Sequence, residues 1–159
     1  MAFRVLDSSA FYAGIPFSSN EPSYITSLVY NEIEHIKKDH DAIQILIETK
    51  RLTINEPEDR FVTSTIDAAK KSGDFSNLSD EDISTIALSL QLNADLVTDD
   101  FAVSNVAKSI NIKVIPVMTN GIKNVVIWKY YCPGCKTDFS KLTECPRCGN
   151  KLKRKAMKR

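Results

Sequence analysis

Apolar residues recur along this chain in two alternating rhythms. Short runs at Phe3 to Leu6, Leu52 to Ile54, Leu96 to Thr98 and Lys113 to Ile115 have the length and side-chain character of buried strands. Between them the spacing turns helical, with Val29, Ile33 and Ile36, then Ile43, Leu46 and Ile47, then Val62, Ile66 and Ala69, and then Ile83, Ile86, Ala87 and Leu90. A last helix is expected over Phe101 to Ser109. The punctuation agrees with this division. Gly14 to Glu21 reads as a loop, Pro22-Ser23 as the entry to the first long helix, Gly73 as a helix C-cap and Ser79 as an N-cap. Strands alternating with helices in this order call for a parallel sheet covered on both faces, an α/β fold. Beyond the polar stretch Met118 to Lys123, the aromatic run Val125 to Tyr131 opens a separate unit. The expected organisation is one domain over residues 1–120 and a small appendage over 121–159.

A chain of 159 residues with 43% hydrophobic residues suffices for one sizeable core plus such an appendage. The net charge of +1 conceals an asymmetry, because residues 1–122 hold 10 Lys+Arg against 18 Asp+Glu, and residues 123–159 hold 11 against 2. An acidic body with a basic C-terminal piece suggests a polyanionic partner held by that piece. No apolar run approaches the roughly 20 residues that span a bilayer, and the N-terminus lacks a signal-peptide pattern. A cytoplasmic location without membrane association is therefore expected.

Two features carry candidate chemistry. Asp7 directly follows the first strand, and Asp99-Asp100 directly follow Leu96-Val97-Thr98, the positions at which parallel sheets place their binding crevice. Glu32 sits at the edge of a buried helical face. Asp82 is the best directed towards the core of Asp80, Glu81 and Asp82. Each acid has an ordinary structural reading, since Asp caps helices and acids favour a first turn. Four or five converging carboxylates nevertheless repel one another unless a cation lies between them, and the set reads as a divalent-metal site. The second feature is Cys132-Pro133-Gly134-Cys135 followed by Cys145-Pro146-Arg147-Cys148. Two such knuckles supply four thiolates for a closed tetrahedral zinc site, structural because no coordination position is left open, with a rubredoxin-type iron site as the competing reading. Lys129, Lys136, Lys141, Arg147, Lys151, Lys153, Arg154 and Lys155 surround it as a basic tail piece, and with Trp128, Tyr130, Tyr131 and Phe139 they offer phosphate contacts and stacking faces for RNA.

Taken together these residues resemble a known family. Val5-Leu6-Asp7-Ser8-Ser9-Ala10-Phe11, Thr26 to Ile33, Leu78 to Asp82, and Leu96 to Val106 are similar to PIN-domain ribonucleases. Joined to the cysteine ribbon, the whole chain resembles the archaeal Nob (Nin-one-binding) endonucleases that mature small-subunit ribosomal RNA. The resemblance implies Asp7, Glu32, Asp82 and Asp100 as catalytic ligands of Mn²⁺ or Mg²⁺, with Asp99 as auxiliary ligand and Thr98 or Ser8 as hydrogen-bonding support. It implies cleavage of precursor 16S rRNA at its mature 3′ end, leaving a 5′ phosphate and a 3′ hydroxyl, with the pre-ribosomal small subunit and a KH-domain assembly factor as partners. A toxin-like PIN ribonuclease acting on other RNAs and a non-catalytic RNA-binding assembly factor are the alternatives. An Asp-x-Asp phosphatase is disfavoured, because Ser8-Ser9 follow Asp7.

Overall fold

Successive side chains of a strand point to opposite faces of its sheet, and here both faces are buried. The computed structural model describes residues 3–34, 40–119, 121–122, 124–139 and 144–157. Among the sequence expectations, Lys141 and residues 35–39, 120, 123, 158 and 159 lie outside the described residues. Five parallel strands, β1 (Arg4–Leu6), β2 (Ser23–Ile25), β3 (Leu52–Ile54), β4 (Asp95–Val97) and β5 (Val114–Ile115), lie in the order β3-β2-β1-β4-β5. Val5 and Leu96 enter a core with Ile83, Ile86, Leu88, Val103 and Val106. Their chain neighbours Leu6 and Val97 enter the opposite core, with Phe11, Ile25, Val29, Ile33 and Leu46.

The first core lies against helices α5 (Asp59–Ser72), α6 (Asp80–Leu92) and α7 (Phe101–Ser109). The second lies against α1 (Ser8–Tyr12), α3 (Ser27–Ile33) and α4 (His40–Glu48). The result is a sheet between two helical layers, as alternating strands and helices require. Two details depart from expectation. Ile15–Ser18 forms a short helix, α2, started by Pro16, within the segment expected to be loop. Ser23–Ile25 forms the strand β2, paired with both β1 and β3, where direct entry into a helix was expected. A strand of three residues between Pro22 and the Thr26 cap is too short to display a period. Only its partners on both sides reveal it.

The strand order places the switch point between β1 and β4, whose register pairs Leu6 with Val97. Connections leave to opposite sides there, and a crevice opens beyond the strand ends.

The C-terminal sheet is antiparallel and separate. β6 (Ile127–Tyr131) pairs on one side with β7 (Asp138–Phe139) and on the other with β8 (Lys153–Met157). The basic residues Lys153, Arg154 and Lys155 thus belong to an exposed edge strand and not to a free tail. The ribbon rests against the turn after α5. The Tyr130 hydroxyl donates to the Gly73 carbonyl, and Asn105 of α7 receives the Val126 amide and donates to the Val126 carbonyl, both at 2.7 Å. Gly73 has φ +80°, and a Cβ there would lie 2.3 Å from the Trp128 carbonyl oxygen. The helix cap and the docking of the ribbon therefore both demand glycine.

Candidate active site and metal centre

Asp7 is the first residue after β1, buried, and it caps α1 by accepting from the Ser9 amide at 3.0 Å. Its other oxygen accepts from the Thr98 hydroxyl, which in turn accepts from the Asp100 amide at 3.0 Å. The ends of β1 and β4 are thereby tied through one threonine. The Ser9 hydroxyl also donates to Asp7, at 2.5 Å, and accepts from the Asp99 amide. It is Ser9, one position beyond the expected Ser8, that supports the carboxylate. An N-cap position followed by serine could have been read as an Asx-type turn, but which serine turns back depends on where the helix starts.

Asp100 caps α7, accepting from the Val103 amide at 3.0 Å. Asp82 forms a capping box with Ser79 at the start of α6. Glu32 arrives from α3, which a buried Thr26–Ser84 hydroxyl contact of 2.9 Å fastens to α6. Burial acts on Asp7 and Asp82 alike, and neighbouring acids add to it at Asp82. Burial raises the Asp7 carboxyl above the ordinary range. Burial also raises that of Asp82, and the charges of Asp100 and Glu32 add to it. Glu81, which sequence reasoning passed over in favour of Asp82, belongs to the same cluster. Burial pushes its carboxyl up to about 8, reinforced by a hydrogen bond with Glu32 and by the charges of Glu32, Asp82 and Asp7.

Asp99 goes elsewhere. Burial works against its charge, but the backbone amides of Met118, Val117 and Thr119 hold its carboxyl below the usual range. Its oxygens clasp the segment after β5, and of this pair it is Asp100 whose charge acts on Asp82.

The residues fit a hard divalent cation. Glu32 has a buried Oε2 without a hydrogen-bond partner, and an uncompensated buried carboxylate oxygen is costly. Carboxylate oxygens are the ligands that Mg²⁺ and Mn²⁺ prefer. Asp7, Glu32, Asp82 and Asp100 would hold such an ion.

The linkage has a definite sign. Glu81 titrates near 8 in the folded chain against an ordinary value of 4.5, so its contribution to stability is fully present below about 4.5 and is lost as pH rises through about 8. Without added divalent cation, the melting temperature is expected to fall between pH 5 and pH 8.5. Mg²⁺ at the upper end should restore it, and Glu81→Gln should flatten the fall. A native profile that is level across this range would contradict the clustering of the acids.

The second site is built locally. The Lys136 amide donates to the Cys132 carbonyl at 2.8 Å and the Cys132 amide to Thr137 at 3.0 Å. Gly149 and Asn150 repeat both bonds on Cys145 at 2.8 and 2.9 Å. The two knuckles are thus the same turn used twice, with positive φ at Lys136 and Gly149. Their four Sγ atoms lie within 4.8 Å of one another, the one such ligand group among the described residues. The thiols conflict without a cation: Thr137 draws Cys135 down to about 6, whereas neighbouring thiols, Cys132 first, push Cys148 up to about 12. Four sulfurs at this spacing are arranged to hold a metal ion.

Residues 5–92 match the PIN domain of ribonuclease. The chain is 36% identical over 162 residues to "Endoribonuclease Nob1" of Methanocaldococcus jannaschii, covering 99% of this chain and 80% of that protein. It is 32% identical to the Pyrococcus abyssi protein of the same name, covering 94% and 91%. The chain belongs to the Nob1 endoribonuclease family. A further relative, "Ribonuclease VapC1" of Thermoplasma acidophilum, is 33% identical over 128 residues, covering 80% of this chain and 66% of that protein. The likeness to the Methanocaldococcus jannaschii protein covers 99% of this chain and so takes in the cysteine ribbon. On the Nob1 ribbon, Lys129, Lys136, Arg147, Lys151, Lys153, Arg154 and Lys155 are all exposed. They do not form one patch of free charge. Arg154 lies over the Trp128 ring at 4.2 Å, and Lys155 pairs with Asp138 at 3.4 Å.

Proposed function

We propose that this endoribonuclease cuts precursor 16S rRNA at its mature 3′ end during small-subunit biogenesis, in the cytoplasm. What supports the reading is the likeness to Nob1 over 99% of the chain, together with Asp7 and Asp100 tied through Thr98 at the ends of β1 and β4 and the charges that Asp100 and Glu32 exert on Asp82. The domain over 1–120 does the cutting, and the zinc-bound unit over 121–159 holds RNA. A KH-domain assembly factor and the pre-ribosomal subunit are the partners that the family resemblance implies.

When bound, Mn²⁺ or Mg²⁺ activates water and stabilises the leaving 3′ oxygen. The chain supplies the rest. Thr98 and Ser9 hold the Asp7 carboxylate in one orientation, while helix caps hold Asp100 and Asp82. The N-terminal ends of α6 and α7 offset part of the carboxylate repulsion. Leu6 and Val97, the last strand residues before Asp7 and Thr98, are buried with Val29 in one core. Zinc is assigned to the ribbon from its four-sulfur donor set.

The test is incubation of full-length protein with an RNA spanning the 3′ end of the small-subunit precursor, with Mn²⁺ or Mg²⁺. One metal-dependent cut at the mature end is expected. Tight binding without any cut would move the assignment to an assembly factor. The likeness to VapC1 favours a second reading, a ribonuclease for other RNAs, and equal cutting of unrelated RNAs would establish it.

A further inference from the structure

The acidic body and the basic ribbon meet along a seam that neither the acids nor the cysteines account for. Two depressions run along it. One, of about 330 Å³, is lined by Lys70, Lys71, Lys129, Trp128, Phe139 and Asp138. The other, of about 440 Å³, lies between α5 and the end of α7, with Ser64, Asp67 and Ser109 on its walls. Lys71 and Ile127 line both, so the two depressions adjoin.

Its charge and surface chemistry are specific. Lys70 and Lys71 are exposed in the last turn of α5, and Lys129 is exposed on β6. Lysines in a last helical turn have an ordinary reason to be there, because they complement the helix dipole. That reason does not bring Lys129, from a different segment, to the same opening. Of the two acids on the walls, Asp138 is already paired with Lys155 at 3.4 Å. The same walls carry aromatic and planar cationic surface, in half-buried Phe139 and in Trp128 with the Arg154 guanidinium over it.

The walls are also fixed to one another. The Tyr130 hydroxyl meets Gly73, and Asn105 clamps Val126 while donating to buried Asp74 at 2.6 Å. The placement of the end of α5 against β6 is therefore set before any ligand arrives. Burial raises the Asp74 carboxyl, the bonds from Asn105 and Ser72 lower it, and the Arg154 and Asp100 charges act on it in opposite directions.

The geometry points to a single-stranded RNA site along this seam, in which Lys70, Lys71 and Lys129 meet successive phosphates and bases rest on the Trp128–Arg154 and Phe139 surfaces. Cations of one sign beside stacking surfaces are what an unpaired strand requires, whereas a duplex presents no free base faces. This inference deepens the RNA reading above and rests on it. It also changes the division of labour, because two of the phosphate contacts come from the acidic body.

The experiment uses the full chain carrying Asp7→Asn, so that bound RNA is not consumed, and a fluorescent unstructured RNA as probe. Anisotropy is followed over a range of salt. Lys70→Glu with Lys71→Glu should weaken binding roughly tenfold or more and lower the log–log salt slope by roughly 1.4, about 0.7 for each lost phosphate contact. Arg60→Glu, at the other end of α5 and 74% exposed, should change neither. Binding by the double variant equal to its parent overturns the site, as does equal competition by a duplex or by polyglutamate. Photo-crosslinking of thiouridine RNA to the chain with Lys70 and Lys71 intact gives an answer independent of the variants' folding. Crosslinks in the α5 C-terminal peptide or β6 support the site, and crosslinks confined to residues 144–152 overturn it. If the parent chain binds no RNA at all, the functional reading itself fails, which is a different result from native binding by the double variant.

Discussion

Asp7→Asn is expected to cut RNA cleavage by well over 100-fold while leaving the chain folded. Loss of an outer-shell partner at a metal site already costs about 10- to 100-fold, and Asp7 is proposed as an inner ligand. Folding should survive, because an amide keeps one oxygen to accept from the Ser9 amide and can turn its NH₂ towards the Thr98 hydroxyl. Burial already disfavours the charged form of Asp7. Removing that charge in the absence of divalent cation should leave the melting temperature unchanged or raise it. The rise in melting temperature on adding Mn²⁺ should shrink in the variant. Single-turnover cleavage and melting curves with and without Mn²⁺ check both parts. Cleavage within about tenfold of native would remove Asp7 from the metal site, since such a loss fits an outer-shell partner.

Stripping the metal from Cys132, Cys135, Cys145 and Cys148 should unfold the ribbon and spare the five-stranded sheet. The ribbon's buried residues are Tyr130, Cys132, Cys145 and Leu152, with Phe139 packed against them. So small a core cannot fold without a staple. Structural zinc in finger-type peptides contributes about 10–16 kcal/mol, more than the whole stability of an ordinary domain. The body keeps its own two cores, which share no residue with the ribbon. The chain's single tryptophan lies in β6, so its emission reports on the ribbon alone. A red shift on chelation is expected, with most far-ultraviolet helical signal retained. Unchanged Trp128 emission after complete metal loss would show that the docked ribbon holds itself together.

What could be read from sequence divides by distance along the chain. The cysteine knuckles are local, each a single turn, and their spacing declares them. Helices α5, α6 and α7 and their caps at Gly73, Ser79 and Asp100 are local too. β2 was not legible, because its evidence is pairing with β1 and β3 and not a period of its own. The acid cluster was legible only as far as strand ends and a family resemblance can point. Whether Asp99 or Asp100 faces inward depends on the amides of residues 117–119, nearly twenty positions away. Glu81 and Asp82 are neighbours on one turn, and only the approach of Glu32 from α3 shows that both belong. Lys70 and Lys71 had no visible connection with the ribbon until β6 was seen lying beside them.

Asp7, Asp82 and Asp100 each hold the start of a helix with one oxygen bonded to a backbone amide. Their torsions are already spent before a cation arrives, so binding freezes little further side-chain freedom. An ion held by all three would couple the first turn of α1, on one side of the sheet, to those of α6 and α7, which share the core on the other.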